Sequence, residues 1–221
     1  MSSITSSLDG TISDINGVPS APKFTKLCGK FSPGYAYGNV KNHKPGNPLR
    51  PIISQIPTAT YNIAKKLNEI LTPYVPTAYT LTSANEFLEL LRNSPEADNH
   101  IIASLDVESL FTNVPVDRTI EFILDRVYRC QETPTLNIPE EKLKTLLEIC
   151  TKQAPFTCPR GKMYCQVDGV AMGSPLGVLF ANFFMGTIEA TVLQQNRPSI
   201  YCRYTDDNLR ESNKSGRITS P

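Results

Sequence analysis

The sequence predicts an α+β fold in which an antiparallel sheet is backed by helices. An apolar run at residues 101–106, which predicts a short buried strand, ends in a carboxylate, Asp106. A second apolar run, at residues 200–204, ends shortly before the adjacent pair Asp206 and Asp207. Helical periods and a hairpin signal lie between these runs, so the order is strand, helices, hairpin, helix, strand.

The N-terminal half of the chain combines a polar start with loops and two helices. Residues 1–22 are rich in Ser, Thr, Gly and Pro, and we expect them to be disordered. Frequent Gly and Pro in 23–54 predict short strands and loops. The apolar face over 58–71 predicts a helix. Ser83 and Glu86 form a capping box that opens another helix.

The C-terminal half alternates helices with short strands. Pro115 and Pro139 each suit the first turn of a helix. Residues 156–167 predict a hairpin, because two short apolar runs flank a Gly-containing turn. The broad apolar face over 176–193 predicts a long helix. Residues 208–221 lack any apolar period, and we expect a disordered tail.

Charge is unevenly distributed along the chain. The 22 Lys and Arg nearly balance the 21 Asp and Glu, so the net charge is +1. Residues 21–68, called the basic segment below, nevertheless contain no Asp or Glu. Their basic residues are Lys23, Lys26, Lys30, Lys41, Lys44, Arg50, Lys65 and Lys66. A solvated basic face would explain this pattern, but we favour a surface that binds phosphates.

Cysteine usage and hydropathy indicate the compartment. None of the 6 cysteines has C-x₂-C spacing, so we expect free thiols in a reducing compartment and no zinc site. The N-terminus lacks the pattern of a secretory signal. No stretch approaches ~18 uninterrupted apolar residues, so we expect no membrane span. These observations predict an intracellular protein, nuclear or cytoplasmic, that is neither secreted nor attached to a membrane.

Asp106, Asp206 and Asp207 are candidate metal ligands. Nucleotidyl transfer uses two divalent cations about 3.5–4 Å apart, clamped by carboxylates. Neighbouring carboxylates raise each other's pKa unless a cation lies between them, and a metal site removes this conflict. The alternative is that Asp106 caps a turn and that the adjacent pair forms a hairpin turn.

Four motifs follow one another along the chain. They are KNHKPGNPLRPIIS at 41–54, SLDVESLF at 104–111, GVAMGSPLG at 169–177 and YTDD at 204–207. In this order they resemble the fingers and palm of a reverse transcriptase. Their sequences are most similar to those of Penelope-like retroelements. The resemblance covers residues 37–207. It implies a right-hand polymerase fold, with a fingers-like basic lobe at 23–100 and a palm at 101–207.

The resemblance also implies roles in catalysis and nucleotide binding. The three aspartates would hold two Mg²⁺ or Mn²⁺ ions. Lys41, Lys44 and Arg50 would clamp the triphosphate, because transfer of a phosphoryl group depends mostly on positioning and positive charge. Gly173 would let the backbone approach the nucleotide closely. Phe111 would pack under the sugar and exclude a 2′-hydroxyl group, although a core phenylalanine is the alternative.

Further residues are implied at the template and primer. Ser174, Pro175 and Tyr204 would contact these strands, while Ser174 could also be a helix N-cap. Many reverse transcriptases carry Gln where this sequence has Met172. Penelope-like sequences tolerate that difference, so it shifts the subfamily and not the function.

The implied activity is RNA-directed DNA polymerisation, in which a DNA primer 3′-hydroxyl attacks a dNTP on an RNA or DNA template. Two rivals remain: an inactive remnant that only binds nucleic acid, and a two-metal nuclease, which gives no reason for the Lys/Arg loop. The family normally continues with a thumb and often a GIY-YIG endonuclease. The sequence after residue 207 shows no pattern of either, so we expect this chain to lack a thumb and to polymerise poorly. Oligomeric state and template specificity stay open.

Overall fold

The computed structural model describes residues 2–42, 45–94, 100–131, 133–195, 198, 200–204 and 207–213. Two compact units are present, each built from two separate stretches of chain. The first unit is Met1–Val75 with Phe111–Phe183, and the second is Pro76–Leu110 with Phe184–Pro221. The predicted boundary between 100 and 101 falls inside the second unit. The second unit extends across that position because a strand starting near it pairs with the C-terminal end of the chain.

Helices and strands alternate along the chain. The helices are α1 (Ser2–Gly17), α2 (Tyr61–Leu71), α3 (Ala84–Arg92), α4 (Leu110–Asn113), α5 (Val116–Leu124), α6 (Glu140–Lys152) and α7 (Gly177–Gln195). The strands are β1 (Gly34–Val40), β2 (Leu49–Ser54), β3 (His100–Asp106), β4 (Phe156–Thr157), β5 (Met163–Tyr164), β6 (Tyr201–Tyr204) and β7 (Asp207–Asn213). The predicted α+β class is confirmed.

The N-terminal residues that were expected to be disordered form α1, so that prediction is wrong. Leu8, Ile12 and Ile15 are fully buried at 0% exposure. Asp14 of the same helix pairs with Lys142 of α6. The Ser- and Thr-rich composition hides an apolar spacing of four and three residues, and burial of that stripe outweighs weak helix propensity.

The first unit has a helical core. Helices α1, α2 and α5 all contact α6. The buried side chains of α2, α5 and α6 include Ile63, Leu67, Leu71, Ile120, Ile123, Leu124, Leu143, Leu146 and Leu147. Pro115 and Pro139 lie at the N-caps of α5 and α6, one residue before the predicted first turn.

A four-stranded sheet, in the order β2-β1-β4-β5, completes the first unit. Strands β1 and β2 form an antiparallel hairpin, and the Lys41 N–H donates to the Pro48 carbonyl at 2.9 Å. Strand β4 runs parallel to β1 and antiparallel to β5. The predicted hairpin at 156–167 is thereby confirmed, with Gly161 at φ +75° in its turn.

The second unit contains an antiparallel sheet in the order β3-β7-β6. The tail prediction is wrong for residues 208–213, which belong to β7, while 214–221 lie outside the described residues. A central strand is held by main-chain hydrogen bonds on both edges, so it forms without an apolar period. The C-terminal end of β3 was also expected to be buried, yet Ser104, Leu105 and Asp106 are exposed.

Two predicted helices are confirmed. At the start of α3, the Glu86 N–H donates to Ser83 Oγ at 3.3 Å. The Glu86 carboxylate accepts hydrogen bonds from the Thr82 side chain and backbone, which lower its pKa. Helix α7 is long and apolar enough to cross a membrane. A helix in a protein core can be equally long and apolar. Phe180 and Phe183 are 0% exposed, which is typical of such a core helix.

Candidate functional site

Asp106 and Asp207 lie directly opposite each other in the second unit. Asp106 ends β3, Asp207 begins β7, and the two are Cα partners in the antiparallel ladder. Such partners are about 4.5–5.5 Å apart at Cα. Tyr204, the last residue of β6, is the partner of Asp207 on its other side. The register therefore brings the second and fourth motifs together at one end of the sheet.

The donor chemistry at this end suits a hard divalent cation. Carboxylate oxygens are the ligands that Mg²⁺ and Mn²⁺ prefer. Like charges that face each other across two strands are unfavourable, and a cation between them reverses the sign of that interaction. Asp206 and Thr205 lie outside the described residues. Among the residues that are described, no three His, Cys, Asp or Glu side chains cluster as a complete metal site.

A buried polar network holds β6 in the second unit. Arg203 Nε donates to Glu189 Oε1 of α7 at 2.7 Å, and Arg203 Nη2 donates to Thr80 Oγ1 at 3.1 Å. The Tyr201 hydroxyl donates to the same Glu189 oxygen at 2.9 Å. Burial, and then the Glu189 charge, raise the pKa of Tyr201 above its usual value. The network fixes the strand residue immediately before the exposed Tyr204.

Neither Glu189 nor Arg203 was a candidate from the sequence. A signal was present, because Glu189 is the single charged residue of α7 and Arg203 is the single charged residue of β6. Two apolar elements that each carry one charge, of opposite sign, indicate a buried pair. Backbone bonds reinforce it: the Arg203 N–H donates to the Tyr79 carbonyl, and the Leu81 N–H donates to the Arg203 carbonyl, both at 2.8 Å.

In the first unit, Gly173 packs against the backbone of β2. Its φ is +111°, and a Cβ there would lie 2.5 Å from the Ile53 carbonyl oxygen. The Ile53 N–H donates to the Met172 carbonyl at 2.8 Å. Glycine is therefore needed at this position because β2 occupies the space of a side chain. A contact between Gly173 and a nucleotide stays a prediction.

The same loop fixes Phe111. The Val170 N–H donates to the Phe111 carbonyl at 2.7 Å. The Phe111 ring packs beside Gly177: a Cβ added at Gly177 would lie 3.6 Å from the nearest ring carbon of Phe111. The side chain is half-buried, so part of the ring contacts the loop and part is accessible. The core interpretation and the sugar-contact interpretation are both compatible with this position.

Ser174 and Pro175 lead into α7. The Leu176 N–H donates to Ser174 Oγ at 3.3 Å, and the Gly177 N–H donates to the Ser174 carbonyl at 3.0 Å. The capping interpretation of Ser174 is supported, because its oxygen atoms accept from backbone groups at the helix start. Contacts of Ser174, Pro175 or Tyr204 with template or primer stay predictions.

The β1–β2 hairpin carries the predicted triphosphate ligands. Arg50 is exposed in β2, opposite Asn39 of β1, and Lys41 directly follows β1. Within the described part of the chain, neither side chain forms an ion pair, so both charges can interact with an anion. Lys44 lies outside the described residues.

Comparison with known proteins identifies the family. The sequence profile described as reverse transcriptase (RNA-dependent DNA polymerase) matches residues 42–217. No protein with a curated description matches the sequence.

Three solved polymerase structures share the fold. Apo telomerase from Candida tropicalis, truncated from its C-terminal domain, superposes with a TM-score of 0.62 at 15% identity, over 97% of this chain and 49% of that one. Candida albicans telomerase in complex with a fragment of telomeric RNA gives 0.60 at 12% identity, over 96% and 42%. An RNA-dependent RNA polymerase of a human picobirnavirus gives 0.52 at 12% identity, over 96% and 52%. The chain thus spans about half the length of these structures, and it has the right-hand polymerase fold.

Proposed function

Because the chain belongs to the reverse transcriptase (RNA-dependent DNA polymerase) family, we propose that it carries the nucleotidyl-transfer site of an RNA-directed DNA polymerase. The observation that carries this proposal is the register that sets Asp106 opposite Asp207. In the reaction, the primer 3′-oxygen bonds to the α-phosphorus of a dNTP, the bond to the β-phosphate oxygen breaks, and pyrophosphate leaves. The proton of the 3′-hydroxyl passes to solvent.

The aspartates supply the acidic part of the site. Asp106, Asp206 and Asp207 would hold Mg²⁺ or Mn²⁺, and such a cation would supply Lewis acidity at the attacking hydroxyl and positive charge at the leaving pyrophosphate. The exposure of Asp106 supports this role, because its carboxylate is accessible to a phosphate-bound cation. The Arg203–Glu189 network supports it by fixing the strand that leads into Tyr204 and the aspartate pair.

The first unit supplies nucleotide-binding residues. Arg50 and Lys41, joined by Lys44, bind the triphosphate, since Arg can form bidentate contacts with phosphate and Lys acts as a point charge. The accessible part of the Phe111 ring packs under the sugar and rejects a 2′-hydroxyl group.

The nucleic-acid strands are an RNA template, or DNA, and a DNA primer. Ser174, Pro175 and Tyr204 contact these strands. We further propose that the chain comes from a retroelement of the Penelope-like class, because the four motifs resemble the sequences of that class. We also propose a nuclear or cytoplasmic location, because the nucleic acid on which the chain would act is found there.

The strand β7 bears on the rival interpretation of an inactive remnant. A disordered tail after Asp207, as the sequence predicts, would leave the aspartate pair without a returning strand, and poor polymerisation would follow. Asp207–Asn213 is such a strand, and it pairs with both β3 and β6. This pairing favours a site that can hold two carboxylates at a fixed separation.

The proposal is tested by Mn²⁺ binding, measured by electron paramagnetic resonance, and by extension of a DNA primer on an RNA template. Asp106→Asn should remove the tight Mn²⁺ site and abolish extension. Asp9→Asn is the matched control, since Asp9 is an exposed aspartate of α1. Unchanged Mn²⁺ binding in Asp106→Asn would contradict the metal assignment, and extension that survives it would contradict the catalytic one.

A further inference from the structure

A cavity of about 450 Å³ lies in the first unit, and none of the motif residues described above lines it. One wall comes from the segment before β1, including Lys26 and Phe31, and the other comes from α2, including Lys65. The two ends of the basic segment, more than thirty residues apart in sequence, therefore meet around one cavity. The proposed reaction does not use any of these residues.

The charge around this cavity is positive. Its lining includes four lysines and one carboxylate, that of Glu69. Lys66 pairs with Glu69 at 2.9 Å. The Lys23 ammonium donates to the Asn16 carbonyl at 2.8 Å and, more weakly, to the Val18 carbonyl at 3.3 Å.

The other two lysines of the cavity, Lys26 and Lys65, take no part in these contacts. Lys26 and Lys65 are exposed, and within the described residues they form no ion pair or side-chain hydrogen bond. The Asp9 carboxylate of α1 also contacts this wall, since it accepts from the Leu27 N–H at 3.4 Å. The two lysines are therefore the groups that an anionic ligand would meet first.

Apolar and aromatic groups lie between these charges. Phe24 and Ile63 line the cavity and are 5% and 3% exposed. Phe31 also lines it but is only half-buried, so its ring is accessible. An accessible ring between ammonium groups suits a single strand of nucleic acid, whose phosphates pair with cations while a base stacks on the ring.

The cavity is connected to the hairpin that carries Arg50. The wall that contains Phe31 runs directly into β1, and the wall formed by α2 follows β2. The Ser32 N–H donates to the Pro57 carbonyl at 3.1 Å, which joins the two walls at the base of the hairpin. The positive charge of the basic segment is thus present at both the loop end and the base of one hairpin.

We propose that this cavity is a second binding site for the single-stranded nucleic acid on which the chain acts. Lys26 and Lys65 bind backbone phosphates, and a base packs on Phe31. The inference rests on the proposed function for the identity of the polyanion, but it concerns binding and not the chemical step.

The test measures binding of the 221-residue chain to a fluorescent single-stranded RNA, by anisotropy, at several salt concentrations. Lys26→Gln with Lys65→Gln should weaken binding about tenfold at low salt. It should also reduce the slope of log K against log salt by ~1.4, since each single-strand phosphate contact contributes ~0.7. The control is Arg160→Gln with Lys162→Gln, which removes the same charge at exposed positions outside the basic segment and should leave the slope unchanged.

Phe31→Leu tests the base contact. It should weaken binding of the RNA but not of an abasic phosphodiester strand of equal length, because stacking requires a base. An unchanged salt slope in the lysine pair, equal losses in the control pair, or equally effective competition by polyglutamate would overturn the inference. The lysine pair should retain the Mn²⁺ binding of the wild type, so a failure of this site is distinguishable from a failure of the proposed chemistry.

Discussion

The Arg203 guanidinium and the Glu189 carboxylate form an ion pair with 2.7 Å between Nε and Oε1 and side-chain exposures of 0% and 4%. The pair joins β6 to α7, and Tyr201 and Thr80 add hydrogen bonds to Glu189 and Arg203 respectively. Since β6 ends at Tyr204, the first residue of the YTDD motif, this contact fixes the strand that precedes the aspartate pair. A buried ion pair is costly to break from one side, because the other charge stays buried.

Arg203→Met should therefore lower the free energy of unfolding by roughly 3–5 kcal/mol. Glu189→Leu combined with Arg203→Met should recover most of that loss, since no charge is then left unpaired. The measurement is urea denaturation followed by circular dichroism. Glu69→Gln is the comparison, because the exposed Lys66–Glu69 pair is worth at most about 1 kcal/mol. Equal losses at the two pairs would contradict the structural role assigned to Arg203.

Gly173→Ala should destabilise the first unit. The added methyl group meets the Ile53 carbonyl at 2.5 Å, and the φ of +111° is strained for alanine. Gly10→Ala, in the interior of α1 with open space around it, should instead stabilise by about 0.5–1 kcal/mol. Melting temperatures that move in the same direction for both variants would argue against the loop–strand packing.

Phe111→Val should admit ribonucleotides more readily, because it removes ring atoms from the accessible side of the loop. The measurement is the ratio of dNTP to rNTP incorporation in primer extension. Phe122→Val removes a half-buried ring that stacks under Arg118, away from this loop, and should leave the ratio unchanged. If discrimination is the same in both variants, Phe111 belongs to the core and not to the sugar site.

The rate at which each cysteine is alkylated should depend on its burial. Burial raises the pKa of the Cys150 thiol to about 12 and raises that of Cys202 as well. Because the thiolate is the nucleophile, both should react slowly with iodoacetamide at pH 8, whereas the exposed Cys28 and Cys165 should react quickly. Peptide mass spectrometry gives the rate at each site. Fast labelling of Cys150 in the folded chain would contradict its position in the core.

Apolar periods and turn residues determined most helices and hairpins of this protein. The Ser83 capping box, the helix over 61–71 and the hairpin at Gly161 follow from local chemistry, because the groups that define them are within a few residues of one another. Motif order likewise determined the family and the candidate site residues. Local sequence patterns did not predict α1 or β7. The stability of α1 comes from burial against other helices, and that of β7 comes from pairing with two strands.

Tertiary structure alone decided which distant residues meet. The register of Asp106 against Asp207 depends on a strand that has no apolar pattern, so no local period predicts it. The Arg203–Glu189 pair and the Lys26–Lys65 cavity each join residues that the sequence separates by more than ten positions. Such contacts are selected by the packing of the whole chain, in which the gain from burying apolar surface fixes where the remaining charges can lie.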